Sequence, residues 1–454
     1  MIHRFSRNGI NIVCDTDSGA VHILDDVSYA LCGKISAPLT EACPADLAGG
    51  FDGFDGAAVC EAYAELYKLY KDGALFSDDS YIPKLVRQSA PIKALCLHVS
   101  HDCNLRCKYC FAATGDFHTG RKIMDFETAK RAIDFVIERS GKRRNLEVDF
   151  FGGEPLMAWE TVKQTVEYAR SIEKAHDKNF RFTITTNGML LDDEKIEYIN
   201  REMSNAVLSL DGRKEINDNL RIRVDGTGSY DSIVPKFQKL VAGRGDKDYY
   251  VRGTFTHYNL DFDEDVLHMA DLGFDQVSVE PVVSSPELPW ALQESDLETI
   301  FTRYDKLADA LIERRKAGNG FNFFHFMIDL DQGPCIIKRL RGCGAGYEYC
   351  AITPEGDIYP CHQFVGVADY KLGNIFEEGF NFELSDKFGA LNVYTREDCG
   401  NCWAKFYCSG GCSASNFFTN GDIAKPYFVG CELERKRVEC AIYMKAVELL
   451  EQEA

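Results

Sequence analysis

The segment Cys103-Asn-Leu-Arg-Cys107-Lys-Tyr-Cys110 places three thiols within eight residues, directly after an apolar run over 92–99 that predicts a buried strand. A cubane iron–sulfur cluster normally takes four thiolates. A loop with three of them leaves one iron open to another ligand, as in catalytic metal sites. The alternatives are a ferredoxin-type cluster, or a zinc knuckle that uses His98 or His101 as a further ligand.

Length and composition narrow the class of protein. A chain of 454 residues is too long for one core, and 45% hydrophobic with 27% charged residues is ordinary for a globular protein. No apolar stretch is long enough to span a bilayer, and the first residues lack a signal-peptide core. We therefore expect a cytoplasmic protein without a membrane partner. The net charge of −20 argues against a nucleic-acid partner.

The 18 cysteines are unusual for such a chain. In a reducing compartment they are metal ligands or buried hydrophobic residues rather than disulfides. Eight of them crowd the last quarter of the sequence, beyond the three in the first motif. We interpret the scattered ones as small hydrophobic residues: Cys14, Cys32, Cys43, Cys60, Cys96, Cys335 and Cys440.

Residues 86–317 alternate strand and helix patterns six times. Strands are predicted over 92–99, 146–151, 180–186, 206–210, 250–257 and 276–283, with helices between them such as 125–140. This repetition builds a parallel sheet that closes toward a barrel, with its chemistry at the carboxyl ends of the strands. We predict a partial (β/α)6 barrel of the α/β class.

Residues 1–85 predict a small winged-helix domain. A hairpin over 10–14 and 20–24, helices ending near 31 and 71, and a third short strand over 74–76 indicate this arrangement. Residues 1–90 contain seven Lys and Arg against thirteen Asp and Glu, so DNA would be repelled. A peptide paired along an exposed edge strand fits the acidic surface better.

Residues 318–454 contain a second, longer cysteine pattern. Cys343 comes first and is followed by Gly356 and Cys361. Then comes the run Cys399-x2-Cys402-x5-Cys408-x3-Cys412, and eighteen intervening residues separate Cys412 from Cys431. This order resembles the seven-cysteine SPASM pattern of radical S-adenosylmethionine (SAM) peptide maturases. The first motif, CxxxCxxC, is likewise the signature of radical SAM enzymes.

The resemblance implies three [4Fe–4S] clusters and SAM. The SAM cluster would be bound by Cys103, Cys107 and Cys110, and two auxiliary clusters by Cys343, Cys361 and Cys412 and by Cys399, Cys402, Cys408 and Cys431. Cys350 is either a fourth ligand of the first auxiliary cluster or a buried thiol. The residues that the resemblance assigns to SAM are Tyr109, Gly152, Gly153, Glu154, Thr186, Asn187, Ser209, Asp211 and Arg221. For Arg221, a surface salt bridge is the alternative.

The stretch from Cys343 to the sequence Cys361-His-Gln-Phe is most similar to the maturases of six-cysteine (SCIFF) precursor peptides, which are sactipeptide synthases. This implies an enzyme that forms thioether crosslinks in a ribosomal precursor peptide. The leader of the peptide would bind to 1–85 as a recognition element, and a flavodoxin- or ferredoxin-type protein would donate electrons.

Two other functions stay open. One is a radical SAM enzyme with a different product, either formylglycine or another peptide crosslink. For formylglycine formation, His362 stands where sulfatase maturases commonly have an aspartate. The other is a non-catalytic iron–sulfur electron carrier or redox regulator.

Overall fold

The computed structural model describes residues 1–79, 81, 91–330 and 336–453. In these residues the strands form a three-stranded antiparallel sheet near the amino terminus and an eleven-stranded sheet that contains the barrel. No helix in these ranges combines the length and the apolar character needed to cross a membrane.

The strands are β1 (Ile2–Arg7), β2 (Ile10–Asp15), β3 (Val21–Leu24), β4 (Ala94–His101), β5 (Lys122–Ile123), β6 (Asn145–Gly152), β7 (Asn179–Thr186), β8 (Asn205–Ser209), β9 (Asp248–Phe255), β10 (Gln276–Pro281), β11 (Asn322–Phe323), β12 (Tyr349–Ile352), β13 (Asp357–Tyr359) and β14 (Gly373–Asn374). The α-helices are α1 (Asp26–Leu31), α2 (Gly56–Lys71), α3 (Phe126–Arg139), α4 (Trp159–His176), α5 (Asp193–Glu202), α6 (Lys214–Leu220), α7 (Tyr230–Ala242), α8 (Phe262–Asp271), α9 (Leu297–Lys316), α10 (Ile336–Arg341), α11 (Phe382–Ala390), α12 (Lys405–Cys408), α13 (Ser413–Asn420) and α14 (Phe428–Glu453).

All six predicted barrel strands are confirmed. They are β4 and β6 to β10, and they pair in parallel in the order β10-β9-β8-β7-β6-β4. The helix predicted over 125–140 is α3. Asp125 is its N-cap, and the Asp125 carboxylate accepts a hydrogen bond from the Thr128 N–H at 2.8 Å. Apolar side chains of the strands and the flanking helices form one continuous core.

The C-terminal part continues the barrel sheet. Strand β12 pairs in parallel with β4, Cys350 opposite Leu95 and Ala351 opposite Cys96, and β13 and β14 follow as antiparallel strands. Because β13 runs back along β12, Cys361, which follows soon after it, packs with Cys96 of β4 and Ala351 of β12.

The amino-terminal part differs from the prediction in one element. The hairpin of β2 and β3 and the helices α1 and α2 are confirmed, whereas the strand predicted over 74–76 is wrong. The third strand is instead β1, which pairs antiparallel with β2. The predicted domain boundary near residue 85 lies outside the described residues. The predicted burial of Cys14, Cys32, Cys96 and Cys440 is confirmed, Cys43 and Cys60 are half-buried, and Cys335 also lies outside those residues.

This small sheet packs on both faces. Because side chains alternate along β2, Val13 contacts the core under α2, whereas Ile12 and Cys14 pack against α14. Arg7 of β1 forms ion pairs with two carboxylates of α9. Its Nη1 lies 2.9 Å from Asp305 Oδ1, and its Nη2 lies 2.8 Å from Asp309 Oδ1. The amino-terminal domain therefore contacts both the barrel and the C-terminal helix.

Candidate active site at the mouth of the barrel

A cavity at the carboxyl ends of the barrel strands is lined by all three thiols of the cluster loop, residues 103–110. The thiols interact electrostatically, and burial raises the pKa of Cys103 and Cys107 to about 12. A bound cation is therefore needed to make them thiolates at neutral pH. Among the described residues, no three His, Cys, Asp or Glu side chains converge as closely as one metal ion requires. A cubane binds each thiolate through a different iron, so it needs no such convergence.

Two glycines bring the loop after β6 directly against the cluster loop. The Gly153 N–H donates to the Ser100 carbonyl at 2.7 Å, and the Glu154 N–H donates to the Asp102 carbonyl at 2.9 Å. A Cβ on Gly153 would lie 2.3 Å from that Asp102 oxygen, and one on Gly152, where φ is +130°, would lie 2.1 Å from the Ser100 oxygen. Both positions therefore exclude a side chain.

The carboxylate of Glu154 connects the loops after β6 and β7. It is fully buried and accepts hydrogen bonds from the Leu156 N–H at 3.0 Å, the Thr186 hydroxyl at 2.7 Å and the Asn187 N–H at 2.8 Å. Burial raises the pKa of Glu154 to about 6. Its main role is to hold the cavity wall together.

Asn187 then extends this connection to the cluster loop. Its Nδ2 lies 2.8 Å from Asn104 Oδ1 and 3.6 Å from the sulfur of Cys103. The amide therefore donates to the loop and to one of the three thiols, which fixes the position of that sulfur.

A buried hydrogen-bonded group of Tyr109, Asp211 and Arg221 closes another side of the cavity. The Tyr109 hydroxyl donates to Asp211 at 2.7 Å and accepts from Arg221 Nη1 at 2.7 Å. Arg221 interacts electrostatically with Tyr109, Cys107 and Asp211, and these three interactions raise the pKa of its guanidinium. Its Nε is buried and has no partner in the described part of the chain. The cavity thus contains a buried cation with one unused hydrogen-bond donor.

The C-terminal part supplies the opposite wall. His362 and Gln363, which follow Cys361, line the same cavity as the cluster loop. The His362 ring lies 5.0 Å from the Phe151 ring and 5.6 Å from the Phe111 ring, between centroids. Burial, with a contribution from Arg252, lowers the pKa of His362 to about 4, so the ring is neutral at pH 7.

Two groups of thiols lie in the C-terminal part. The thiols of the inner set interact with one another and comprise Cys343, Cys361 and Cys412. The thiols of the outer set likewise interact and comprise Cys399, Cys402, Cys408 and Cys431. These are the two groupings that the sequence pattern predicts.

Cys350 lies apart from the inner set. It is fully buried beside Leu95 and Ile352 in the main core, and its electrostatic neighbour is Arg139 of α3. The next residue, Ala351, faces the other side of β12 and packs with Cys96 and Cys361. The alternation along β12 therefore directs the Cys350 thiol toward the helices and away from Cys361.

Comparison with known proteins agrees with this geometry. Residues 97–242 match the radical SAM superfamily, and residues 343–403 match the SPASM iron–sulfur cluster-binding domain. The fold is the α/β radical SAM fold with a C-terminal SPASM domain.

Three similar proteins span most of the chain. Mycofactocin maturase MftC of Mycobacterium tuberculosis is 29% identical over 76% of this chain and 86% of its own. Native anSMEcpe, solved with bound AdoMet and the Cp18Cys peptide, has a TM-score of 0.64 over 80% of this chain and 100% of its own at 20% identity. SuiB of Streptococcus suis, solved with precursor peptide SuiA, has a TM-score of 0.53 at 17% identity. The match covers 94% of this chain and 98% of the SuiB chain.

The two domains imply [4Fe–4S] clusters and SAM, and the cavity fits them. Three thiols of one short loop at the cavity wall suit cluster irons, and the glycine loop leaves backbone without side chains beside them. The buried guanidinium of Arg221, with its free Nε donor, suits a carboxylate.

The cavity contains seven of the nine residues predicted to contact SAM, namely Tyr109, Gly152, Gly153, Glu154, Asn187, Ser209 and Arg221. Thr186 and Asp211 do not line it. Thr186 points to the same side of β7 as Phe182 and Ile184, so its neighbour Thr185 faces the cavity instead. Asp211 lies behind Tyr109, which it orients. The cavity is also lined by Arg252, Thr254 and Glu280, which are not among the nine predicted residues.

We predict that Gly153→Ala separates the two loops and prevents cluster binding. Because its Cβ would overlap the Asp102 carbonyl, iron content should fall by about four of about twelve atoms per chain. Gly49→Ala is the matched control, since a Cβ there meets nothing within 4 Å and neither glycine has a positive φ. Iron and sulfide analysis after anaerobic reconstitution measures this. A Gly153→Ala protein with full iron content would contradict the prediction.

Proposed function

We propose that the protein is a radical SAM maturase that forms thioether crosslinks, from a cysteine sulfur to an α-carbon, in a ribosomally made cysteine-rich peptide. The observation that carries the proposal is that one cavity is lined by the cluster loop and by His362 and Gln363. The cluster loop and the two residues that follow Cys361 of the inner thiol set therefore face one space.

In this proposal Cys103, Cys107 and Cys110 hold the SAM cluster, and Arg221 and the backbone at 152–153 bind SAM. When bound, the cluster and SAM supply the one-electron chemistry that removes a hydrogen atom from the peptide. The residues of the chain position these groups: Asn187 orients the Cys103 sulfur, and Asp211 orients Tyr109 and Arg221. Phe111 and Phe151 stack with their ring centroids 6.4 Å apart and form an apolar part of the cavity wall.

The inner set favours a thioether product over formylglycine. It offers three thiols from the described residues, because Cys350 lies on the opposite side of β12. A [4Fe–4S] cluster normally takes four thiolates, so a cysteine of the peptide can supply the fourth. Formylglycine formation needs no such site and remains the alternative.

The peptide would reach the cavity from the amino-terminal domain. Strands β1 and β3 are the edges of the small sheet, and an edge strand can pair with an extended peptide. Because the sheet packs on α9 and α14, a leader bound there stays close to the barrel and raises the local concentration of the core peptide. The Cp18Cys peptide bound to anSMEcpe and the precursor peptide SuiA bound to SuiB support a peptide substrate. A flavodoxin- or ferredoxin-type donor would reduce the clusters.

The test is anaerobic incubation of the full-length protein with SAM, reductant and a six-cysteine precursor peptide. We expect the peptide to lose two hydrogens per link and one iodoacetamide-reactive thiol per link, by mass spectrometry. The Cys103→Ala protein should leave the peptide unchanged. Replacement of a cysteine sulfur by an oxygen together with the loss of two hydrogens would identify formylglycine formation, and an unmodified peptide in the presence of SAM cleavage would reject the thioether proposal.

A paired substitution tests the assignment of the inner set. Cys350→Ala should keep all of the iron and sulfide, because its thiol packs in the core, whereas Cys361→Ala should lose about four irons. The two variants remove the same atom from neighbouring elements, so each controls for the other. Loss of iron from Cys350→Ala would show that it is a ligand.

A further inference from the structure

Arg396 lies between the two auxiliary thiol sets of the SPASM domain. Its side chain is buried, with 6% of the residue exposed. In the sequence, Arg396 lies three residues before Cys399. The guanidinium donates to the Ile423 carbonyl and, at 2.8 Å, to the hydroxyl of Ser413, the residue after Cys412. These two hydrogen bonds fix it beside the segment that contributes to both sets.

One donor of this guanidinium is unused. The Nε of Arg396 is buried and has no hydrogen-bond partner among the residues that the structure describes. Gly410, between Cys408 and Cys412, lies directly against it: a Cβ there would be 2.9 Å from Nε and 2.8 Å from Cδ. The loop that joins an outer ligand to an inner ligand therefore wraps around Arg396, and only a glycine fits at the contact.

The charge of Arg396 is shared between the two sets. It interacts electrostatically with Cys399 and Cys408 of the outer set and with Cys343 and Cys412 of the inner set. Within the described ranges it forms no ion pair with a carboxylate. A buried charge without a counter-charge is unfavourable, so the thiolates of the two sets are the groups that balance it.

We propose that Arg396 is a positioning residue shared by the two auxiliary clusters, and that its charge and its Nε–H raise the reduction potential of both. Reduction adds one negative charge to a cluster, and a nearby cation and hydrogen bonds to sulfur stabilise that form. The proposal rests on the cluster assignment in the proposed function. It adds a route by which one side chain keeps both clusters able to accept the electron that crosslinking releases.

Arg435 provides a matched comparison. It interacts with Cys402 and Cys431 of the outer set, pairs with Glu432 on the same helix, and shows no interaction with the inner set among its strongest contacts. Substitution of Arg435 should therefore change one auxiliary cluster, whereas substitution of Arg396 should change two.

The experiment is a redox titration monitored by electron paramagnetic resonance on full-length, anaerobically reconstituted protein, with iron and sulfide measured on each sample. For Arg396→Gln we expect the one-electron reduction equilibrium of both auxiliary clusters to fall about tenfold, or about 59 mV. The SAM cluster should keep its potential. Arg435→Gln should shift the outer cluster alone.

Unchanged potentials in a fully loaded Arg396→Gln protein, or a shift of one cluster only, would overturn the proposal. If Arg396→Gln loses iron, Arg396→Lys is the deciding variant, because it keeps the positive charge and should load all three clusters. Equal loss of iron from both variants would indicate a packing role and would also overturn the proposal. Wild-type protein without auxiliary-cluster signals would instead reject the cluster assignment itself. The two failures are thus distinguishable.

Discussion

The parallel pairing of β12 with β4 is the constraint on which the site depends. Four residue pairs, from Tyr349 with Ala94 to Ile352 with Leu97, join the SPASM domain to the strand that ends in the cluster loop. The pairing fixes which side of the sheet each side chain of β12 faces, so that Ala351 packs with Cys96 of β4 and with Cys361. The residues after Cys361 line the same cavity as the SAM cluster loop. Without it the two halves of the site would not share one space.

The walls of that space consist of backbone contacts and buried hydrogen bonds rather than of flexible side chains. Gly152 and Gly153 permit the approach of two loops, Glu154 connects two strands, and Asp211 fixes Tyr109. Two buried arginines with an unpartnered Nε lie beside thiols, Arg221 at the cluster loop and Arg396 at the auxiliary sets. A buried cation is favoured where negatively charged clusters bind.

Much of this arrangement could be predicted from the sequence because its signals are local. Continuous apolar runs mark the barrel strands, and the motifs that follow them lie at their carboxyl ends, where a parallel sheet brings them together. The resemblance of the cysteine pattern to the SPASM pattern likewise implies both thiol groupings. It does not show that Thr185, rather than Thr186, faces the cavity.

Other features depend on contacts between distant segments. The orientation of Cys350 follows from the pairing of β12 with β4, which are about 250 residues apart in the chain. The environment of Arg396 is made by residues near 343, 410 and 423, so no window of sequence contains it. The third strand of the amino-terminal sheet, β1, replaces the one predicted over 74–76, because register in a small sheet is set by burial against α14 as well as by pattern.

The most direct test of the account is whether the loop of three thiols supports reductive cleavage of SAM. Anaerobically reconstituted protein supplied with SAM and a strong reductant should release 5′-deoxyadenosine, and the protein with Cys103, Cys107 and Cys110 all replaced by alanine should release none. Reconstituted protein that binds zinc in this loop, or that leaves SAM intact under reduction, would contradict the account and favour a non-catalytic iron–sulfur or zinc protein.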